Sequence, residues 1–218
     1  MIRMMMGALA LAAALPALAQ DTQTARFQVT GVEVALPIPK GFCMPQGKGA
    51  IVAQLLAASD TVNVTHLTLN SCDAQAADTD YYLFKTTRSV LAIQMSRKEW
   101  IAALLEYLED PAVKNAIDPA KIGPEAEREF EKVFGQKASV GGDITWLGHD
   151  EACVYLGGVI SFETEGVRYK RAVSGCMTAV GGRSVNIYRY SEGLPANATR
   201  YLADVKAVAL SMQGAPAH

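Results

Sequence analysis

The stretch from Ala138 to Tyr190 constrains this chain more than any other part of it. It is rich in β-branched and aromatic residues, and turn-forming groups break it at His149-Asp150-Glu151, Glu163-Thr164-Glu165-Gly166 and Gly181-Gly182. That spacing predicts four successive antiparallel strands. Cys153 and Cys176 lie on either side of the central turn. A four-residue loop closing on Phe162 and Val167 would also pair Ile160 with Tyr169, Leu156 with Val173 and Cys153 with Cys176. Apolar residues then share one face. The cysteines stand directly opposite each other on the other face, with Cβ atoms about 4.5–5.5 Å apart, near disulfide reach. A three-residue loop would slip the register by one and send the cysteines to opposite faces. The four-residue loop is therefore the expectation, with Gly166 at its last position, where positive φ costs little.

The N-terminus reads MIRMMMGALALAAALPALAQ. A basic start at Arg3, an apolar run, a breaker at Pro16 and the small-x-small site Ala17-Leu18-Ala19 are the parts of a secretory signal, in order. Cleavage after Ala19 is expected, which leaves residues 20–218 as a single domain. The apolar run falls short of the roughly 20 residues that span a bilayer, and no later run reaches that length. No stable membrane span is expected after cleavage, and the location expected is periplasmic or secreted.

The cysteines support that location. Cys43, Cys72, Cys153 and Cys176 are an even set in an exported chain, which reads as two disulfides. Their spacing contains no C-x-x-C. Of the three possible connectivities, Cys43–Cys72 with Cys153–Cys176 is expected. The first bridge would join the ends of two strands and clamp a short helix between them.

The rest of the chain supplies partners for the sheet. Residues 26–36 alternate as a strand with a turn or bulge at Gly31, and Pro37 and Pro39 end it. Ile51, Leu55 and Leu56 mark a short helix over 48–58. Residues 61–72 read as a strand whose apolar parity changes near His66, as a bulge there would produce. Tyr81–Met95 reads as a strand broken near Arg88. Ser96 and Glu99 form a capping box before the apolar stripe Trp100, Ile101, Leu104, Leu105 and Leu108. Residues 111–123 read as a linker and 124–134 as a charged helix. Residues 196–213 read as a final helix with Leu202, Val205, Ala209 and Met212 on one face, followed by a frayed tail. The fold class expected is α+β: an antiparallel sheet with a C-terminal four-strand meander packed against helices, an α/β/α-like sandwich.

Charge and motifs narrow the function classes. Twenty basic residues against 22 acidic ones give a formal net charge of −2, with no Lys/Arg cluster, which argues against a nucleic-acid surface. No motif calls for a cofactor or a metal. His149-Asp150-Glu151 reads as a solvated turn, because adjacent residues rarely all face one ion. His66 reads as a hydrogen-bonded strand residue, and His218 is terminal. Ala172-Val-Ser174-Gly-Cys176 lacks the flanking glycines of a nucleophile elbow and sits within a strand. Gly157-Gly158, inside a strand, reads as a bulge or a place of close packing. Tyr155, Arg168 and Lys170 share the cysteine face and form the candidate binding surface. Arg88, Arg97, Arg171, Tyr81, Tyr82, Tyr188 and Tyr190 are further surface candidates.

The segment GVEVALPIPKGF near the start, and GRSVNIYRY followed by the terminal helix, resemble PsbP-like proteins in element order. That resemblance implies an α/β/α arrangement and a non-enzymatic assembly or binding role. The function expected is an exported binding or accessory protein with a protein or small-molecule partner. The alternative is a small periplasmic hydrolase or metal-dependent enzyme that uses His66 or His149.

Overall fold

The structure, a computed structural model, describes residues 23–110, 124, 127–128, 131, 137–164 and 166–216. The expected signal peptide, the linker at 111–123, most of the helix expected at 124–134, and His218 lie outside these residues. The architecture is α+β, with helices packed on antiparallel sheets.

The elements follow the hydrophobic pattern. Strands β1 (Thr24–Val29) and β2 (Val32–Pro37) come from the single alternation read over 26–36, divided by a turn at Thr30-Gly31. A short β3 (Phe42–Cys43) leads into helix α1 (Gly47–Ser59), and β4 (Asn63–Ser71) and β5 (Tyr81–Thr87) follow. The β4–β5 register shifts between Thr65 and Leu67, so the bulge falls at His66. It lets Val64 and Leu67, three apart, oppose Thr86 and Phe84 on one face. Helix α2 (Arg97–Glu109) begins at the capping box: the Ser96 side chain accepts from the Glu99 amide, and the Glu99 carboxylate accepts from the Ser96 amide at 2.8 Å. Trp100, Ile101 and Leu104 are its buried stripe.

The meander consists of β6 (Ala138–His149), β7 (Val154–Thr164), β8 (Val167–Val180) and β9 (Arg183–Glu192). It joins the earlier strands in one seven-stranded sheet of order β3-β4-β5-β9-β8-β7-β6. One face of that sheet meets α4 (Leu202–Ser211) and a small second sheet of order β1-β2-β10, where β10 is Gln213–Pro216. Their shared core holds Phe27, Val34, Leu36, Leu69, Phe84, Ile187 and Val205. The opposite face is covered at β7 and β8 by α2, through Val154 and Ala179.

The structure corrects the expected hairpin register. Thr164 pairs with Val167, so the β7–β8 connection is residues 165–166 and not four residues long. Gly166 sits at φ +77°, a conformation that serves a two-residue hairpin as well as a longer loop. β7 is thereby extended by Glu163 and Thr164 while β8 still begins at Val167, and Cys176 opposes Tyr155 instead of Cys153. The difference is two positions, so the cysteines keep a common face. The Cys153–Cys176 disulfide forms diagonally from the end of β7, with Cα atoms 5.2 Å apart.

The bridge also lies on the other face from the one expected. Cys153 and Cys176 are fully buried in the core beneath α4. Apolar alternation failed as a guide because both faces of the meander are covered, one by α4 and the other by α2.

The C-terminus differs as well. The expected single helix breaks at Tyr201 into α3 (Asn197–Arg200) and α4. The expected frayed tail forms β10, which pairs with β2 through Gln213 and Ala35. Gly157 explains how α3 docks: a Cβ there would stand 2.7 Å from the Ala198 carbonyl oxygen. The neighbouring Ser174 hydroxyl donates to that carbonyl at 3.0 Å. The glycine pair is thus a place of close packing, without interruption of the β7–β8 register.

Candidate functional site

Helix α1 departs most from ordinary packing. Its sequence, GKGAIVAQLLAAS, is apolar on nearly every side, yet none of its residues is buried. Ile51, Val52, Leu55 and Leu56 are each at least half exposed. A helix that is apolar all round normally lies inside a core or a membrane.

Here α1 is held at its two ends. Next to its start, Cys43 is bridged to Cys72, with Cα atoms 5.2 Å apart. At its end, Asp60 accepts from the Asn63 amide at 2.8 Å and from Lys85 Nζ at 2.7 Å. The Asp60 and Lys85 side chains are only 15% and 16% exposed. Burial acts to raise the Asp60 pKa, but the Lys85 ammonium and the Asn63 donors outweigh it and hold the carboxyl below its ordinary value.

Between these anchors, α1 spans a cleft of ≈ 430 Å³ above β4 and β5. Val52, Ala53, Leu56 and Ala57 line it from the helix, and Tyr81 and Leu83 from the sheet. Register explains the floor: Leu67, Leu69, Tyr82 and Phe84 turn into the core, leaving Thr68, Asn70, Tyr81 and Leu83 on the opposite face. Behind Tyr81 stands Tyr190, its ring stacked at 4.7 Å. Burial pushes the Tyr81 phenol up to about 12, so it is a neutral donor and acceptor at physiological pH. A concave, mostly apolar space with a few polar groups is the ordinary form of a small-molecule site.

A second cleft of ≈ 400 Å³ opens on the other side of the sheet, lined by Pro37, Phe42, Tyr82, Arg189 and Asp204 among others. Its buried charge is already committed, and Lys40 stands exposed at its rim. Arg189 Nε and Nη2 donate to the two Asp80 carboxylate oxygens at 3.1 and 3.0 Å, and Nη1 donates to Asp204. The guanidinium carbon lies 3.7 Å from the Tyr201 ring centre, in cation–π contact. This cluster latches β9 to the turn before β5 and to α4.

The residues singled out from sequence are scattered. Tyr155 is half-buried against the core, its hydroxyl donating to Asp150 at 2.8 Å. Burial would raise the Asp150 pKa, but Lys206, Tyr155 and the Ala152 and Cys153 amides hold it at about 2. Arg168 pairs with Glu163 at 2.6 Å on the exposed hairpin. Tyr155 and Glu163 are eight positions apart on β7, roughly 26 Å. Lys170, beside Arg168, is exposed. Tyr155 is thus far from the two basic residues, although all three have the same facing.

Of the further candidates, Arg97 donates to the Ala179 and Ala209 carbonyls, and Arg171 to those of Lys170 and Asp78. Arg88 donates to the Asp60 carbonyl. Tyr82 is buried beside Arg189. His66 stacks on Phe27 and is 2.9 Å from the Thr86 hydroxyl; burial lowers its pKa. His149, at the end of β6, is exposed. Neither histidine lines either cleft. Among the described residues, no three His, Cys, Asp or Glu side chains are grouped so as to hold a metal. No helix among them is long and apolar enough to cross a membrane.

The sequence reading missed both the Arg189 cluster and the α1 cleft. The first had a signal: Val185, Ile187 and Arg189 alternate, which places an arginine at a core position that must find partners. The fold and the cleft together describe an α+β sandwich with an apolar helix strapped across one outer face. No protein-family model matches the chain, and no curated protein matches it. Among solved structures it is similar to the solution structure of cyanobacterial PsbP (CyanoP) from Synechocystis sp. PCC 6803. That likeness has 10% identity and a TM-score of 0.35, and covers 92% of this chain and 98% of that one. It is a weak likeness of fold alone.

Proposed function

We propose that the protein is an exported, non-enzymatic binding protein, a single disulfide-stapled domain whose ligand site is the cleft beneath α1. The observation that carries this reading is the pairing of an apolar helix that buries none of its residues with an apolar floor of Tyr81 and Leu83. A bound apolar molecule would cover both surfaces. Two disulfides, one fully buried, and the N-terminal charge–apolar–small pattern support export. Tyr155, Arg168 and Lys170 are assigned a secondary role, with Arg168 and Lys170 as the exposed basic end of the hairpin and Tyr155 as a brace for the turn at Asp150.

The test is titration of the purified protein with an environment-sensitive apolar dye. A single saturable fluorescence enhancement is expected. Leu83→Asp, which places a charge on the cleft floor, should weaken it at least tenfold. Val52→Asp, on the half-exposed helix side, changes no buried residue and should weaken it as well. Unchanged dye affinity in both variants would remove the cleft from the account.

A further inference from the structure

We infer that the cleft takes a single-chain anionic amphiphile, with its hydrocarbon tail between α1 and the Tyr81–Leu83 floor and its anionic head at the Lys48–Asn70 end. This rests on the reading of the cleft as the ligand site.

Shape is the first argument. The floor is bounded by the paired positions Thr65/Lys85 at one end and Asn70/Tyr81 at the other. At strand rise that is roughly 14–17 Å, a groove along the sheet and under the helix. An extended chain fills such a groove better than a compact ring. The middle is aliphatic and aromatic, from Val52, Leu56 and Leu83.

Charge is the second. The charged side chains of the lining are Lys48, Lys85 and Asp78, and what matters is how they are distributed along the groove. The two lysines are not equivalent. Lys85 is committed to Asp60 at 2.7 Å. Lys48, exposed in the first turn of α1, has no ion pair among the described residues. The Asn70 side chain lines the same cleft and can donate to a carboxylate or phosphate oxygen. The first turn of α1 has no acidic residue and no side-chain cap to oppose an anionic head. Asp78, in the turn before Tyr81, lines this same end, but the Arg171 guanidinium stands beside it, donating to the Asp78 carbonyl at 3.2 Å, so Lys48 and Arg171 together outweigh that carboxylate. One end of the groove is thus electrically closed, and the other is open to an anion.

The experiment is displacement of the apolar dye by octanoate, decanoate and dodecanoate below their micelle concentrations, with decanol as the uncharged comparison. Affinity should rise about fourfold per methylene, the equivalent of about 0.8 kcal/mol for each one buried. It should level off once the chain outgrows the groove. Lys48→Gln should weaken decanoate about fivefold, the upper end for an exposed charge pair, and leave decanol unchanged. Dye binding that none of the carboxylates displaces would overturn this ligand class and leave the cleft standing. Equal binding of decanol and decanoate, unaffected by Lys48→Gln, would overturn the anionic head. Loss of dye binding sensitivity to Leu83→Asp and Val52→Asp would instead strike the cleft itself.

Discussion

Replacement of Arg189 by alanine is expected to cost about 3 kcal/mol of folding stability, a large part of the 5–15 kcal/mol typical of a domain. The guanidinium side chain is 10% exposed and holds three things together. It forks onto Asp80, reaches Asp204 and stacks on Tyr201. Truncation leaves the Asp80 carboxylate, 29% exposed, without its partner. It also opens a void against Phe42 and Tyr82, whose rings lie 5.1 and 5.5 Å from the guanidinium carbon. Arg189→Lys should recover little, because an ammonium cannot fork onto one carboxylate and stack on a ring together. Asp204→Asn should cost less than about 1 kcal/mol, since that carboxylate is half exposed. Denaturant unfolding measures all three, as a lowered midpoint at unchanged slope. An Arg189→Ala midpoint equal to that of the parent would show that the cluster is not a latch.

The second large effect concerns the buried bridge. The double substitution of Cys153 and Cys176 by alanine should cost about 3 kcal/mol, the loop-closure value for cysteines 23 residues apart. The two bridges should also differ in access. Cys153 and Cys176 are fully buried, whereas Cys72 is exposed and Cys43 half-buried. A mild reductant applied to the folded protein should therefore open Cys43–Cys72 first, releasing the start of α1, while Cys153–Cys176 persists until global unfolding. Thiol alkylation with mass mapping reads the order directly. Simultaneous opening of both bridges at low reductant would contradict the burial of the second.

Much of this fold was legible in the sequence where one local rule decided the outcome. Ser96 and Glu99 specified the start of α2. Turn residues delimited the four strands of the meander. The parity change around His66 located its bulge, and the spacing of the cysteines indicated their pairing. Other features depended on contacts distant in sequence. Gly166 suits a two-residue connection as well as a four-residue loop, so the hairpin register needed the strand partners on both sides. The bridge's facing needed knowledge that α4 covers one side of β8 and α2 the other. Gln213–Pro216 carries no strand pattern and pairs only because β2 offers a free edge.

The candidate site was the least legible part, for a physical reason. The sequence of α1 is apolar on all sides, so periodicity marks a helix but assigns it no buried face. The Cys43–Cys72 clamp at its start was legible, but nothing local reveals that the Asp60–Lys85 pair holds its other end above the sheet. The two basic residues that sequence brought forward, Arg168 and Lys170, lie on β8, separated from β5 by β9 and facing the side of the sheet opposite α1.

The most direct measurement of the central claim is amide chemical-shift mapping during titration with decanoate. The cleft beneath α1 predicts that the largest shifts fall on Lys48–Ala57, Thr65–Asn70 and Tyr81–Lys85, with little change around Phe42, Arg189 and Asp204. Shifts concentrated on the Arg189 cleft, or on the hairpin bearing Arg168 and Lys170, would contradict it.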